Sequence, residues 1–312
     1  TVPIVRPVSV SRPATASGTA SRSRRSAPLA AINAAVRASD LATLTTLLAG
    51  PRTNLTPTPG TLRASPTPLH LATLSTTQSI ALLDLLLGAG ATLDADNGLG
   101  ETPLHYAAFH GNPAAARFLL RLGANVHALS HAGSSPIFMA GQRGRDALVA
   151  MLRDDWQADE GTRDRTGRTF LHAVAAAPWT GAADRRGVAG GGEALLLHCL
   201  DVRRDAVDVL DGTRRTPLFD AASAGNVEGA RLLLSRGANM HLVDVRGATI
   251  LHAAAKAPKS DAMVAYLAEA AGASPLDVRA ADRDGITALH VAAKGTDAQT
   301  VHRLISLGAD VN

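Results

Sequence analysis

A short phrase recurs along this chain and fixes what it can fold into. Thr102-Pro103-Leu104-His105 returns as Thr67-Pro68-Leu69-His70. The same slot holds Ser135-Pro136-Ile137-Phe138, Thr169-Phe170-Leu171-His172, Thr216-Pro217-Leu218-Phe219, Thr249-Ile250-Leu251-His252 and Thr287-Ala288-Leu289-His290. From one Thr or Ser to the next the steps are 35, 33, 34, 47, 33 and 38 residues. A period of about 33 with insertions denotes copies of one supersecondary unit stacked side by side, with a core spread along the stack.

The cleanest copy runs from Asn97 to Ala128. Asn97-Gly98 and Gly100 are turn formers, since glycine reaches positive φ without steric cost. Thr102 suits an N-cap, where its hydroxyl can accept from first-turn N–H groups. Pro103 suits the first helical position, where a missing donor is harmless. A short helix through Ala107 and Ala108 should stop near Gly111. A second, carrying Ala116, Phe118, Leu119 and Leu120, should end at the C-cap glycine Gly123. Neither is long enough to be stable alone in water. Their apolar faces, with Leu104, Ala107, Ala108, Leu119 and Leu120, must be covered by the next copy.

This unit resembles the ankyrin repeat, a turn plus two antiparallel helices with the signature TPLHxA. The resemblance rests on the turn glycines (Gly100, Gly133, Gly167, Gly247, Gly285), the TPLH phrase and the small pairs Ala107-Ala108, Ala221-Ala222 and Ala292-Ala293. It includes the LLxxGA endings, Leu86-Leu87 to Gly90-Ala91, Leu119-Leu120 to Gly123-Ala124, Leu233-Leu234 to Gly237-Ala238, and Leu304-Ile305 to Gly308-Ala309. It implies an all-α solenoid with β-hairpin-like loops, occupying residues 28–312. Repeats would start near residues 65, 98, 131, 165, 212, 245 and 283. Residues 28–50 read as a degenerate N-terminal cap and 51–66 as a Thr/Pro-rich loop. Residues 178–192 are an insertion that accounts for the 47-residue step. In the third repeat Asp155-Trp156 stands where Gly-Ala is expected.

Charge is unevenly placed. The net charge is +4, but residues 1–27 hold five arginines and no acid, which leaves the repeat body at −1. The body is therefore not a general nucleic-acid binder, and nucleic acid is not an expected partner. The Ser/Arg/Pro-rich tail lacks the apolar content to fold and reads as disordered, although Arg22-Ser23-Arg24-Arg25 also fits a weak targeting signal. No apolar run approaches the ~20 residues of a membrane span. The single cysteine, Cys199, excludes an internal disulfide, and a reducing compartment, cytoplasm or nucleus, is the default. The chain begins at Thr1 rather than Met and stops directly after Gly308-Ala309-Asp310-Val311-Asn312, so it is expected to be part of a longer protein.

Chemistry finds little purchase in this pattern. His70, His105, His172, His252 and His290 occupy one slot, one per unit, about 10 Å apart at helix-packing distances, and no two could share a metal at bonds of ~2 Å. The resemblance implies that each instead ties its turn to a neighbour by hydrogen bonds. Cys199 lies among apolar residues, unlike a reactive thiol in an electropositive site. Gly190-Gly191-Gly192 lacks the Lys-Ser/Thr of a phosphate loop. No catalytic, metal or cofactor site is expected.

What remains is a binding surface. In the family the position after the histidine, and those three and four further on, face the inner groove. In the first half these are Leu71, Leu74, Tyr106, Phe109, Met139 and Gln142, rimmed by His110 and Arg143. Alanines follow, Ala173 and Ala176, then Asp220 and Ser223, and finally Lys256 and Lys294. Tyr, Phe and Met are enriched in interface cores. Trp156, at the break in the third repeat, and Trp179, in the insertion, are secondary candidates, and the polar hairpin tips form a further one. The expectation is a monomeric, non-catalytic scaffold that binds a partner protein through this groove. The alternative is a regulatory or targeting region of a larger enzyme, transporter or signalling protein.

Overall fold

In a computed structural model the described residues are 26–49, 55, 65–179, 192–202, 206–257, 260–272, 276–295 and 297–311. Most of the basic tail, of the Thr/Pro-rich loop and of the insertion lies outside them. Helices come in pairs. The first is α1 (Ser26–Ala38) and α2 (Leu41–Leu48), the expected cap, begun two residues earlier than the sequence suggested. Next come α3 (Pro68–Ala72) with α4 (Ser79–Gly88), α5 (Pro103–His110) with α6 (Pro113–Arg121), and α7 (Pro136–Gln142) with α8 (Asp146–Asp154). The insertion separates α9 (Phe170–Ala175) from α10 (Glu193–Leu197), which continues as a π-helical turn, His198–Val202. The last pairs are α11 (Pro217–Ala224) with α12 (Val227–Ser235), α13 (Ile250–Ala255) with α14 (Ser260–Ala271), and α15 (Ala288–Lys294) with α16 (Ala298–Ser306).

The first helices of the pairs pack in one row, α1 on α3, then α5, α7, α9, α11, α13 and α15. The second helices form an outer row, α2–α4–α6–α8 and α10–α12–α14–α16. Between the rows runs the core. Leu104, Ala107, Ala108, Leu119 and Leu120 are all buried in it, as the pattern required, together with Leu82, Leu86, Phe170, Leu218 and Leu251. Leu55, from the Thr/Pro-rich segment, is also buried there.

The recurring phrase has a concrete job. Thr102 donates its backbone N–H to Nδ1 of His105 (3.0 Å), so that nitrogen carries no proton, and Nε2–H donates to the carbonyl of Ser134 in the next repeat (3.0 Å). The same pair of bonds recurs from His70 to Glu101, His172 to Arg215 and His252 to Ile286, at 2.8, 3.1 and 2.9 Å. Each histidine is thus a neutral strut between neighbouring units. In the slots of Phe138 and Phe219 a buried ring takes its place.

Four of the hairpin turns are held by an aspartate, where the second and third repeats use Asn97 and Ser130. Asp164, Asp211, Asp244 and Asp282 accept through Oδ1 from the N–H groups two and four residues on. One backbone bond then joins each hairpin to the next: His131 N–H to Leu99 O, Arg165 to Ala132, Gly212 to Thr166, Val245 to Thr213 and Arg283 to Arg246, at 2.7–2.9 Å. These turns need a left-handed residue two before the Thr. Glycine supplies it at 100, 133, 167, 247 and 285, whereas the fifth repeat uses Arg214 at φ 62°.

The outer helices close alike. Ala124 N–H donates to Leu119 O and Gly123 N–H to Leu120 O, the bond pair of a Schellman cap. Leu86, Leu233 and Leu304 begin the same closure. The third repeat was expected to lose it. Instead the closing turn is longer by one residue: Ala158 N–H reaches Leu152 O, six residues back rather than five, at 3.0 Å, and Gln157, two residues after Asp155, takes the left-handed position at φ 54°. That extra residue is why the step from Ser135 to Thr169 is 34.

Candidate protein-binding groove

The predicted row lies on the inner helices α3, α5, α7, α13 and α15 or on the residue or two that follow them. Tyr106, Phe109, His110, Met139, Gln142 and Leu74 are half-buried, while Arg143, Lys256 and Lys294 are exposed. Leu71 departs from the expectation. It is only 5 % exposed, a core residue. It sits on α3, which packs against α1 of the cap on one side and α5 on the other.

The aromatic residues form one connected patch. The Tyr106 ring meets His70 of the preceding repeat edge-on, with centroids 4.8 Å apart, and lies 5.9 Å from His110. Phe109 packs edge-on to His110 at 5.1 Å. The Arg143 guanidinium lies over the Phe109 ring at 4.5 Å, a cation–π contact between repeats two and three. The Tyr106 hydroxyl accepts from Asn97 Nδ2 at 3.4 Å. Tyr106 is therefore part groove and part strut. Removing it takes away support for His70, so a Tyr106/Phe109 double truncation would also cost stability.

The two tryptophans lie elsewhere. Trp156 and Trp179 are both half-buried and packed against the core. Trp179 turns its ring onto Gly192, so the two ends of the insertion meet, and Gly192 N–H donates to Asp146 Oδ2 at 3.1 Å. The Trp179 indole nitrogen is buried without a hydrogen-bond partner among the described residues. Trp179 thus packs between the two ends of the insertion, and Trp156 packs on the core just after α8.

Electrostatics near the histidines favour structure over proton transfer. Burial depresses His70 and His105 from 6.5 to about 4, against the carbonyl hydrogen bonds, which act the other way. His172 is lowered for the same first reason. Among the described residues no three His, Cys, Asp or Glu side chains gather as a metal-binding group. Cys199 is buried.

A family model for ankyrin repeats (3 copies) matches residues 32–130, 182–278 and 218–312. The chain belongs to the ankyrin-repeat family. Among curated relatives, the array is 30% identical over 196 residues to the B-cell lymphoma 3 protein homolog of Mus musculus, covering 60% of this chain and 40% of that one. It is 30% identical over 217 residues to inversin of Mus musculus, with 68% and 19% covered. The array thus spans less than half the length of either relative. The crystal structure of the human ASB11 ankyrin repeat domain aligns over 79% of this chain and 100% of that one with a TM-score of 0.54. At 22% identity that likeness shows the fold alone.

Sequence reasoning overlooked two kinds of residue in this array. Asn112 and Asn226 cap α6 and α12 and also bond backwards, Asn112 Nδ2 to the Thr73 and Ser75 carbonyls and Asn226 Nδ2 to Ala175 O, all at 2.9 Å. Their shared place after Gly111 and Gly225 was a readable signal. The second kind is the ionic pairs under the hairpins, Arg168–Asp220 and Arg215–Asp244, at 3.0 and 3.2 Å. No helix among the described residues is long and apolar enough to cross a membrane.

Proposed function

We propose that this array is a non-catalytic scaffold that holds a segment of a partner protein in its concave groove, with Phe109, Met139, Tyr106 and Arg143 as the anchoring patch. The observation that carries this is the half-buried Phe109 ring, stacked under Arg143 and flanked by His110 on an inner helix. Aromatic and arginine side chains held in this way supply most of the binding energy in protein interfaces. Ankyrin repeats are a general protein–protein interaction module, and solenoid concave faces are their extended binding surfaces. Because the array matches only part of each curated relative, it also fits the role of an interaction region within a larger protein. The working compartment under this reading is the cytoplasm or nucleus, where Cys199 stays reduced.

The test is affinity capture with the intact array beside a Phe109→Ala/Met139→Ala variant that melts as a folded protein. The expected outcome is loss of one specific protein from the second capture. Recovery of the same protein by both would place the binding surface at the hairpin tips instead.

A further inference from the structure

Beyond the aromatic patch the groove opens into a polar cavity of about 440 Å³, lined by residues that include Gln142, Arg168, Ala176, Asp211, Arg215 and Asp220. That volume is within the range of ligand sites, roughly 300–1,000 Å³. The cavity exists because of the fourth repeat. Where the second repeat fills the groove row with Tyr106 and Phe109, and the third with Met139 and Gln142, the fourth has only Ala173 and Ala176. Ala176 borders the resulting space, whereas Ala173 is fully buried and lies outside its lining.

The charges in this space are unequally satisfied. Arg168 sends both Nε and Nη2 to the same oxygen of Asp220, Oδ2, each at 3.0 Å, which leaves Oδ1 for another donor. Arg215 is committed away from the cavity, with Nε and Nη2 on Asp244 Oδ2 at 3.3 and 3.2 Å. Asp211 uses Oδ1 for its own turn, accepting from Thr213 N–H, Thr213 Oγ1 and Arg215 N–H, and its Oδ2 is left. The lining carries two arginines and two aspartates, but Arg215 is paired with Asp244 outside it, so Arg168 alone faces the carboxylates of Asp211 and Asp220. His172, the nearby imidazole, is held neutral by burial and does not offset them. Burial also pushes the Asp220 carboxyl up despite Arg168, which means that one guanidinium does not fully compensate it.

We propose that this cavity is a receptor for a cationic side chain, an arginine or lysine of the bound partner segment, taken between the carboxylates of Asp211 and Asp220. The proposal rests on the groove reading above and adds a second anchor to it. A guanidinium entering here would donate to Asp220 Oδ1 and Asp211 Oδ2, with the hydroxyls of Thr166, Thr213 and Ser223 and the Gln142 amide at the walls. Charge-assisted bonds of this kind are the strong ones. Adjacent repeats lie about 10 Å apart, and an extended peptide advances about 3.3 Å per residue. The cation should therefore sit roughly three to six residues from the apolar side chain on Phe109 and Met139.

The test is selection of a random-sequence peptide display library on the immobilised full chain, then fluorescence titration of a selected peptide. The expected result is a hydrophobic position and an Arg/Lys position at that fixed spacing. Exchanging the cation for norleucine should weaken binding by about tenfold or more. Asp220→Asn removes the charge, and Ala176→Leu fills the cavity while leaving every charge in place. Each should abolish the Arg/Lys preference and keep the hydrophobic one. Phe109→Ala should do the reverse. A hydrophobic position selected without a cation, with an acid in its place, or with a cation preference that survives both Asp220→Asn and Ala176→Leu, would overturn the cavity proposal and leave the groove standing. Selection of no peptide at all would overturn the groove reading and this proposal with it.

Discussion

At the scale of single residues, His105 shows how far the repeat phrase has been given over to structure. Its ring sits in the neutral form with Nδ1 accepting from Thr102 and Nε2 donating to Ser134, and a proton on Nδ1 would break the first bond. The folded value of about 4 lies below the unfolded 6.5, so the unfolded chain takes up protons first as pH falls. The stabilisation is complete above 6.5 and is lost as pH falls toward 4. The drop corresponds to roughly 3 kcal/mol for each of His70 and His105. Urea unfolding should therefore show a marked loss of stability between neutral pH and about pH 5. His105→Phe, which places in this slot the residue the chain itself uses at Phe138 and Phe219, should flatten that dependence. A slope unchanged in the variant would mean that His105 titrates normally. Arg214 and Gln157 carry a different argument. Both hold left-handed backbone where other repeats have glycine, a conformation that costs a non-glycine residue about 1–2 kcal/mol. Glycine adds unfolded-chain entropy of roughly 0.5–1 kcal/mol. Arg214→Gly and Gln157→Gly should each raise the melting temperature modestly, and a lowered melt in either would show that the side chain holds its turn in some other way.

At the scale of elements, each helix pair depends on what its neighbours cover. Leu104→Ala opens a hole in the shared core and should cost about 2–5 kcal/mol in denaturant unfolding. Asn112→Ala removes a helix cap and two bonds to the preceding repeat, and should cost about 1–3 kcal/mol although no apolar contact is lost. A near-neutral Asn112→Ala would mean that water replaces those bonds. The elements were legible in the sequence because each boundary carries its own chemistry: Thr or Ser before the first helix, left-handed glycine after the second, alanine where backbones approach. The struts from His105 to Ser134 could be expected only through the family resemblance, since the partner is a carbonyl about a repeat away and any residue can supply one. The lengthened closure at Gln157 was harder to foresee. Glutamine does not favour positive φ, and only packing of Ala158 against the core selects that position over Asp155.

At the scale of the whole molecule, groove and core use the same residue types, and this limited what the sequence could reveal. Leu71 and Met139 occupy equivalent positions, yet Leu71 is buried and Met139 only half-buried, a difference the repeat pattern does not announce. The cavity between repeats three and five was hidden for a different reason. It is a space left by Ala176, bordered by charges from hairpins that the linear pattern assigns to separate units. Net charge at this scale is equally uneven. Binding of duplex DNA, if the full chain shows it, should be strongly salt-dependent and should vanish on deletion of residues 1–27, because the remainder carries −1. Binding that persisted would assign a basic surface to the array itself. The decisive separation is between holding the stack together and holding a partner. Phe109 and Met139 are half-buried, and their truncation removes a cation–π contact and some apolar cover but no core side chain. Phe109→Ala with Met139→Ala should cost about 1–2 kcal/mol, clearly less than Leu104→Ala alone. The same pair should weaken a peptide selected on the intact array by at least about tenfold, whereas Leu104→Ala, measured at a temperature where the variant is folded, should bind it nearly as well as the parent. If both variants lost stability and binding in equal proportion, the aromatic patch would be part of the stack, and the concave face would owe its affinity to the charged cavity next to it.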